Sequence, residues 1–187
     1  MKSKNNYIVL RILIAVCFLW MPVNGVRSFI YSNVLPSGNI LAIIIALVPA
    51  IGGVVLLTGA LTGSRILIGV GAVIRLLSEG YSIYVYISQM QPGVPDEVKK
   101  SFRSLIISSV LVLLALLFLA LACFIKRSDL ALCILTIVLF VVWFFVRRSG
   151  YAADQSLLPL ILTAGGSAVG TLLLAFFMAF SKKKKED

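Results

Sequence analysis

An arginine and a glutamate four positions apart are the residues of this chain best suited to chemistry. Arg75 and Glu79 lie near the middle of the apolar segment 65–88, and their spacing places both side chains on one face of a helix. A single charge buried there would cost several kcal/mol, so the pair neutralises itself inside a bundle. The arginine can attract an anionic group, and the glutamate can exchange a proton. An ion pair that only fixes helix packing is the competing interpretation.

A polar stripe accompanies this pair. At about 100° per residue, one band of the helix collects small or polar side chains. Its members are Gly71, Arg75, Ser78, Glu79, Ser82, Tyr86 and Gln89. Lipid offers no hydrogen-bond partner, so this face must point into the bundle or into a wet cavity. We therefore predict a ligand-binding site along the stripe. Its candidate residues are Arg75, Ser78, Glu79, Ser82 and Tyr86.

A helix interruption is predicted at Pro49, Gly52 and Gly53 in the preceding apolar segment. Proline has no N–H to donate, and the paired glycines weaken the backbone hydrogen-bond ladder further. One interpretation is a broken helix whose freed carbonyls face a site, as in several transporters. The other is a kink packed by neighbouring helices.

The elements that must position these residues are membrane-spanning helices. Of the 187 residues, 60% are hydrophobic and 13% are charged, and the mean hydropathy is +1.07. A span needs about 20 apolar residues. Six segments are long enough: 7–26, 39–61, 65–88, 104–125, 130–146 and 157–180. Residues 62–64 and 126–129 are short connections and predict tight antiparallel hairpins. Pro95 with Asp96 and Glu97 predicts that the fourth helix begins about two turns before its apolar segment. We predict an all-α, polytopic bundle of six transmembrane helices. It forms a single domain over residues 1–187, with a basic cytoplasmic tail at 181–187.

Several classes of function are disfavoured by composition. The chain has no histidine, so it lacks catalytic triads and histidine-ligated metals. Glu79 is the only acid at the expected bilayer depth, and the three cysteines lie in apolar runs. We expect neither an enzyme nor a cofactor nor a metal site. The net charge of +10 comes from Lys and Arg at the ends of apolar runs, which indicates topology rather than nucleic-acid binding.

Orientation follows from the distribution of Lys and Arg. If the N-terminus is inside, that side carries Lys2, Lys4, Arg11, Arg65, Lys126, Arg127 and residues 182–185. The other side carries Arg27, Lys99, Lys100, Arg103, Arg147 and Arg148. The excess of Lys and Arg on the side of the N-terminus predicts that both termini lie on the cytoplasmic side of a bacterial-type plasma membrane. A cleaved signal peptide over residues 1–25 is the alternative, which would leave five helices and an outside N-terminus.

Two roles remain open from the sequence. The first is transport-related binding of a small molecule or ion in a cavity lined by the polar stripe. The second is a non-catalytic accessory, assembly or immunity subunit that packs against another membrane protein or a second copy of itself. That role predicts an outward-facing row of small residues, either Ala42, Ala46 and Ala50 or Gly166 and Gly170. The lipid bilayer is the expected surrounding in both cases.

Aromatic and basic residues near the segment ends are assigned to the membrane interface. We expect these aromatic residues to form the usual aromatic belt, with stacking on a ligand as the alternative: Tyr81, Tyr84, Tyr86, Trp20, Trp143, Phe144 and Phe145. Arg147 and Arg148 are interpreted as an interfacial boundary. Arg11 is expected to reach the cytoplasmic headgroups, with no functional role.

Overall fold

A computed structural model describes residues 2–31, 40–125, 129–148 and 157–186, and these ranges are all-helical. The described helices are α1 (Lys2–Phe18), α2 (Trp20–Tyr31), α3 (Ile40–Thr62), α4 (Arg65–Gln89), α5 (Asp96–Phe124), α6 (Asp129–Arg148) and α7 (Leu158–Glu186). Six stretches within them are long and apolar enough to cross a membrane, and α1 with α2 supplies the first. The all-α fold class and the six predicted segments are confirmed to this extent.

The first predicted segment is two helices rather than one. The chain turns at Leu19, where the backbone N–H of Leu19 donates to the carbonyl of Val16 at 3.2 Å. Pro22 explains why α1 ends at Phe18, because a proline has no N–H to donate to the carbonyl of Phe18 four residues earlier. A proline in the first turn of α2 costs little, since the N–H groups there have no intrahelical partner.

Glycines allow α2 and α3 to approach closely. A Cβ atom at Gly25 would lie 2.6 Å from the backbone nitrogen of Ala50, and one at Gly53 would lie 2.6 Å from Cα of Pro22. Gly25 of α2 thus contacts the backbone beside Pro49 of α3, and Gly53 of α3 contacts the backbone of Pro22 in α2. Only a glycine leaves room for such contacts.

The predicted interruption at Pro49, Gly52 and Gly53 is not a break. Helix α3 is continuous from Ile40 to Thr62 with Pro49 inside it. Gly53 faces α2, and Gly52 faces α4, where its Cβ would lie 2.9 Å from Cγ of Arg75. The glycines therefore serve close packing on two sides of α3. The broken-helix interpretation is wrong for the described backbone.

A tight turn joins α3 to α4, as predicted. Gly63 has a φ of +70°, which favours glycine. Ser64 caps α4 by accepting a hydrogen bond from the backbone N–H of Leu67 at 3.3 Å. The Arg11 guanidinium lies directly against Gly63 and 5.7 Å from the ring centroid of Phe177. Arg11 thus packs against Gly63 and Phe177 within the bundle, whereas the sequence predicted only that it extends towards the headgroups.

Helix α5 begins eight residues before the predicted segment. Pro95 is its N-cap residue, and Asp96 and Glu97 occupy the first turn. Acids there interact favourably with the helix dipole, which confirms the helix start indicated by the sequence. Residues 126–128 of the predicted turn 126–129 lie outside the described residues, as do residues 149–156, which include Asp154.

The core lies where α1, α5 and α7 meet their neighbours. Its fully buried side chains include Ile14, Phe18, Leu119, Leu174 and Met178. Removal of residues 1–25 would take two of these, together with Ala15 and Met21, out of the core. Consecutive helices from α3 to α7 are neighbours, and α1 packs against α7 and α3.

The small residues of α7 face the interior. A Cβ atom at Gly166 would lie 2.6 Å from the carbonyl oxygen of Cys17, and one at Gly170 would lie 3.1 Å from its Cβ. Ala50 of the other predicted row is also buried. Neither pattern therefore supplies an intact outward-facing row. The predicted basic tail at 181–187 continues α7 as helix to Glu186, but its side chains lie outside the described part of the chain.

Candidate functional site

A cavity of about 300 Å³ brings together all five predicted ligand residues. From α4 it is lined by Arg75, Ser78, Glu79, Ser82 and Tyr86. The remaining lining residues are Asn24 of α2, Pro49 of α3, Leu105, Ser108, Ser109 and Val112 of α5, and Trp143 and Arg147 of α6. The polar stripe therefore faces a space inside the bundle, as the sequence predicted.

The cavity occupies one half of the bundle. Arg75 is near the middle of α4 and Tyr86 is close to its C-terminal end, a rise of about 16 Å at 1.5 Å per residue. Arg147 is the penultimate residue of α6. The site thus extends from mid-bundle towards the end where α4 and α6 finish and α5 begins.

The stripe lines the cavity only over its middle portion. Gly71 lies instead at the contact with α3, where a Cβ atom would be 2.5 Å from the backbone nitrogen of Leu56. Gln89 is exposed at the end of α4. Ser82 donates its hydroxyl hydrogen bond to the carbonyl of Ser78 at 3.1 Å, within the helix itself.

The predicted ion pair is present but loose. Nη2 of Arg75 lies 3.6 Å from Oε1 of Glu79, which is longer than a hydrogen bond, and the side chains are 12% and 19% exposed. Nη1 of Arg75 donates to the carbonyl of Pro49 at 3.4 Å. Its Nε is buried without a hydrogen-bond partner among the described residues. The guanidinium therefore has donors left over for another acceptor.

Groups from three helices surround Glu79. Arg75 of α4 is its ion-pair partner, Ser109 of α5 hydrogen-bonds to its carboxylate, and Arg147 of α6 lines the same cavity. By residue type, the formally charged side chains of the cavity are two arginines and one glutamate. Their sum is an excess of one positive charge.

Two aromatic residues assigned to the interface belong to this site. Nε1 of Trp143 donates to Oγ of Ser108 at 2.7 Å. Tyr86 stacks on Phe102 with ring centroids 6.4 Å apart and planes 29° apart. Both line the cavity, so Trp143 joins the predicted ligand residue Tyr86 at this site. Tyr81 and Tyr84 are exposed on the outer surface of α4.

Sequence reasoning missed the partners that other helices contribute. Arg147 was assigned to an interfacial boundary, yet it lines the cavity. The α5 lining has a detectable signal, because Leu105, Ser108, Ser109 and Val112 follow the spacing of one helical face. Trp143 and Arg147 are likewise four residues apart. What the sequence lacks is any indication that these faces meet the stripe of α4.

Among the residues that the structure describes, no group of three or more His, Cys, Asp or Glu side chains is placed to hold a metal ion. The arrangement instead suits hydrogen bonding and charge pairing with an organic or inorganic anion. Comparisons of the chain with known protein families, with curated proteins and with solved structures found no match.

Proposed function

We propose that this chain is a multi-pass protein of a bacterial-type plasma membrane that binds a small organic anion in the cavity as part of its transport. Its six apolar helices support a membrane setting. The distribution of Lys and Arg supports cytoplasmic termini. In that orientation α4 runs outwards, and the cavity lies in the outer half of the bundle, where it would receive a solute from outside.

The observation that carries the proposal is the charge of the cavity. Two arginines face one glutamate, and Arg75 keeps a buried Nε without a partner. A buried cationic group without enough acceptors is costly unless something neutralises it. An anion placed between the arginines would cancel the excess charge and accept the unused hydrogen bonds. A cation would have to bind against that excess.

Size and lining narrow the class of anion. A volume of about 300 Å³ equals that of about ten water molecules, at the lower end for small-molecule sites. Arginine binds planar carboxylates through two parallel hydrogen bonds. Leu105, Val112 and the ring of Trp143 supply the smaller, apolar part of a lining that is mostly polar. These features together favour a small monocarboxylate.

The test uses the whole protein in lipid nanodiscs and measures binding by titration calorimetry. The probes are sodium acetate and sodium benzoate, and the neutral benzamide is the control of matched shape. We expect benzoate to bind and benzamide not to bind. Equal binding of the two, or no binding of either carboxylate, would contradict the proposal.

A pair of neighbouring arginines provides a matched control. Arg147 lines the cavity, whereas Arg148 is exposed beside it. A hydrogen bond to a charged group contributes about 1.5–3 kcal/mol, so Arg147→Gln should weaken benzoate binding by about tenfold to a hundredfold. Arg148→Gln should leave the affinity unchanged. Equal effects of the two substitutions would mean that the probe senses overall charge rather than this site.

A further inference from the structure

We propose that Glu79 takes up a proton when the anion binds, so that the cavity binds an anion and a proton together. This inference rests on the proposed function and concerns how the same site is driven. It follows from the position of the carboxylate rather than from its charge alone.

Glu79 occupies the place that the ligand needs. Its carboxylate lies 3.6 Å from Nη2 of Arg75, and Arg147 lines the same cavity, so these two arginines are the cations available to an incoming carboxylate. An anion that binds Arg75 therefore lies close to the Glu79 carboxylate. Two carboxylates at such a distance repel each other, and the usual result is that one of them holds a proton.

No other group around Glu79 accepts this proton more readily than its carboxylate. Arg75 and Tyr86 face it from α4, and Arg147 faces it from α6. A guanidinium has no acceptor site for a further proton, and the hydroxyl of a tyrosine gains none near pH 7. The cavity-lining residues of α2, α3 and α5 carry no ionisable group: Asn24, Pro49, Leu105, Ser108, Ser109 and Val112. The carboxylate of Glu79 is the one cavity group, among the described residues, that can gain a proton there.

The hydroxyl of Ser109 can hydrogen-bond to Glu79 whether the carboxyl group is ionised or protonated. Its hydroxyl hydrogen-bonds to the Glu79 carboxylate. A hydroxyl can also accept a hydrogen bond, so it can turn and accept from the O–H of the protonated acid. The step is a transfer of one proton from solvent to a carboxylate oxygen. No other bond changes, and nothing is oxidised or reduced.

Proton uptake can be measured directly on the wild-type protein. Nanodisc samples in weak buffer with a pH indicator receive sodium benzoate, and calorimetry in two buffers of different ionisation enthalpy gives the number of protons taken up. Benzoate is already the anion at neutral pH, so uptake reports on the protein. We expect uptake of up to one proton per benzoate bound. We also expect affinity to fall as the pH rises from about 6 to about 8, by at most about tenfold per pH unit.

Two variants assign the proton. Glu79→Gln should bind benzoate at least as tightly as the wild type, with no uptake and no dependence on pH. Glu97→Gln removes an exposed carboxylate in the first turn of α5 and should keep the wild-type behaviour. If Glu79→Gln does not fold, binding of benzoate to the wild type without proton uptake still overturns the inference.

The outcomes separate the two proposals. Benzoate binding without proton uptake in the wild type would overturn this inference and leave the proposed function standing. Uptake that persists in Glu79→Gln would also overturn it. A wild-type protein that binds neither acetate nor benzoate would overturn both.

Discussion

Replacing Arg75 and Glu79 together is expected to cost the fold less than replacing Glu79 alone. The two side chains are buried within the bundle, 3.6 Å apart at their nearest charged atoms. At an effective dielectric constant of about 20, that distance corresponds to an attraction of about 4–5 kcal/mol. Most of this attraction offsets the cost of taking the two charges out of water, so the net value of the pair is far smaller.

The single variants should differ because their remaining partners differ. Glu79→Gln leaves Arg75 buried with only its 3.4 Å hydrogen bond to the carbonyl of Pro49. Breaking a buried pair in this way costs about 3–5 kcal/mol, and we expect about 2–3 because the polar cavity can admit solvent. Arg75→Met keeps the aliphatic stem that packs on Gly52 and leaves Glu79 with Ser109 and Arg147. We expect that variant to lose about 1–2 kcal/mol.

The double variant Arg75→Met with Glu79→Gln removes both charges and should unfold within about 1 kcal/mol of the wild type. Equilibrium unfolding of all four proteins in mixed micelles, titrated with sodium dodecyl sulfate, should therefore give a coupling energy of about 2–5 kcal/mol. Such a result would mean that the pair adds little to stability and is kept for binding. A double variant that loses as much as the two single variants combined would refute this reasoning and make the pair a packing device.

Two further predictions concern packing. Gly166→Ala should destabilise the protein by about 1–3 kcal/mol, because its Cβ would lie 2.6 Å from the carbonyl oxygen of Cys17. A Cβ atom at Gly165 would have no neighbour within 4 Å, so Gly165→Ala should stabilise α7 by up to about 1 kcal/mol. Equal free energies of unfolding for the two variants would contradict the α1–α7 contact. Trp143→Phe should cost about 1 kcal/mol through the lost hydrogen bond to Ser108. If that is the cause, Ser108→Ala in the Trp143→Phe background should have little additional effect on the same unfolding curve.

The sequence predicted the helices well because their limits are local properties. The apolar runs and the turn at Gly63 and Ser64 placed the start of α4 correctly. Pro95 with the acids after it indicated the early start of α5. The break at Leu19 was missed because the apolar run continues through it. Pro22 was the available signal, since it withholds the N–H that the carbonyl of Phe18 would otherwise bind.

The sequence predicted the part of the site on α4 but not the parts on the other helices, and the reason is physical. Residues that share a face of one helix follow from 3.6 residues per turn, so the five candidates on α4 were found together. Which residue of α5 or α6 lies opposite them depends on how far each helix is shifted and rotated against its neighbour. Glycine contacts and side-chain packing set that register, and neither is visible in hydrophobic periodicity. Arg147 and Ser109 were therefore out of reach.

The position of the cavity follows from where α4 packs closely. In its first half, a Cβ atom at Gly71 would lie 2.5 Å from the backbone of Leu56, and one at Gly69 would lie 2.8 Å from the ring of Phe124. In its second half, a Cβ atom at Gly80 would reach its nearest neighbour only at 3.9 Å, on Leu113. The buried ion pair of α4, Arg75 and Glu79, lies from the middle of the helix onwards, where the contact loosens. The closely packed first half of α4 thus contributes buried residues to the core, and the polar cavity lies beside the half that packs less closely.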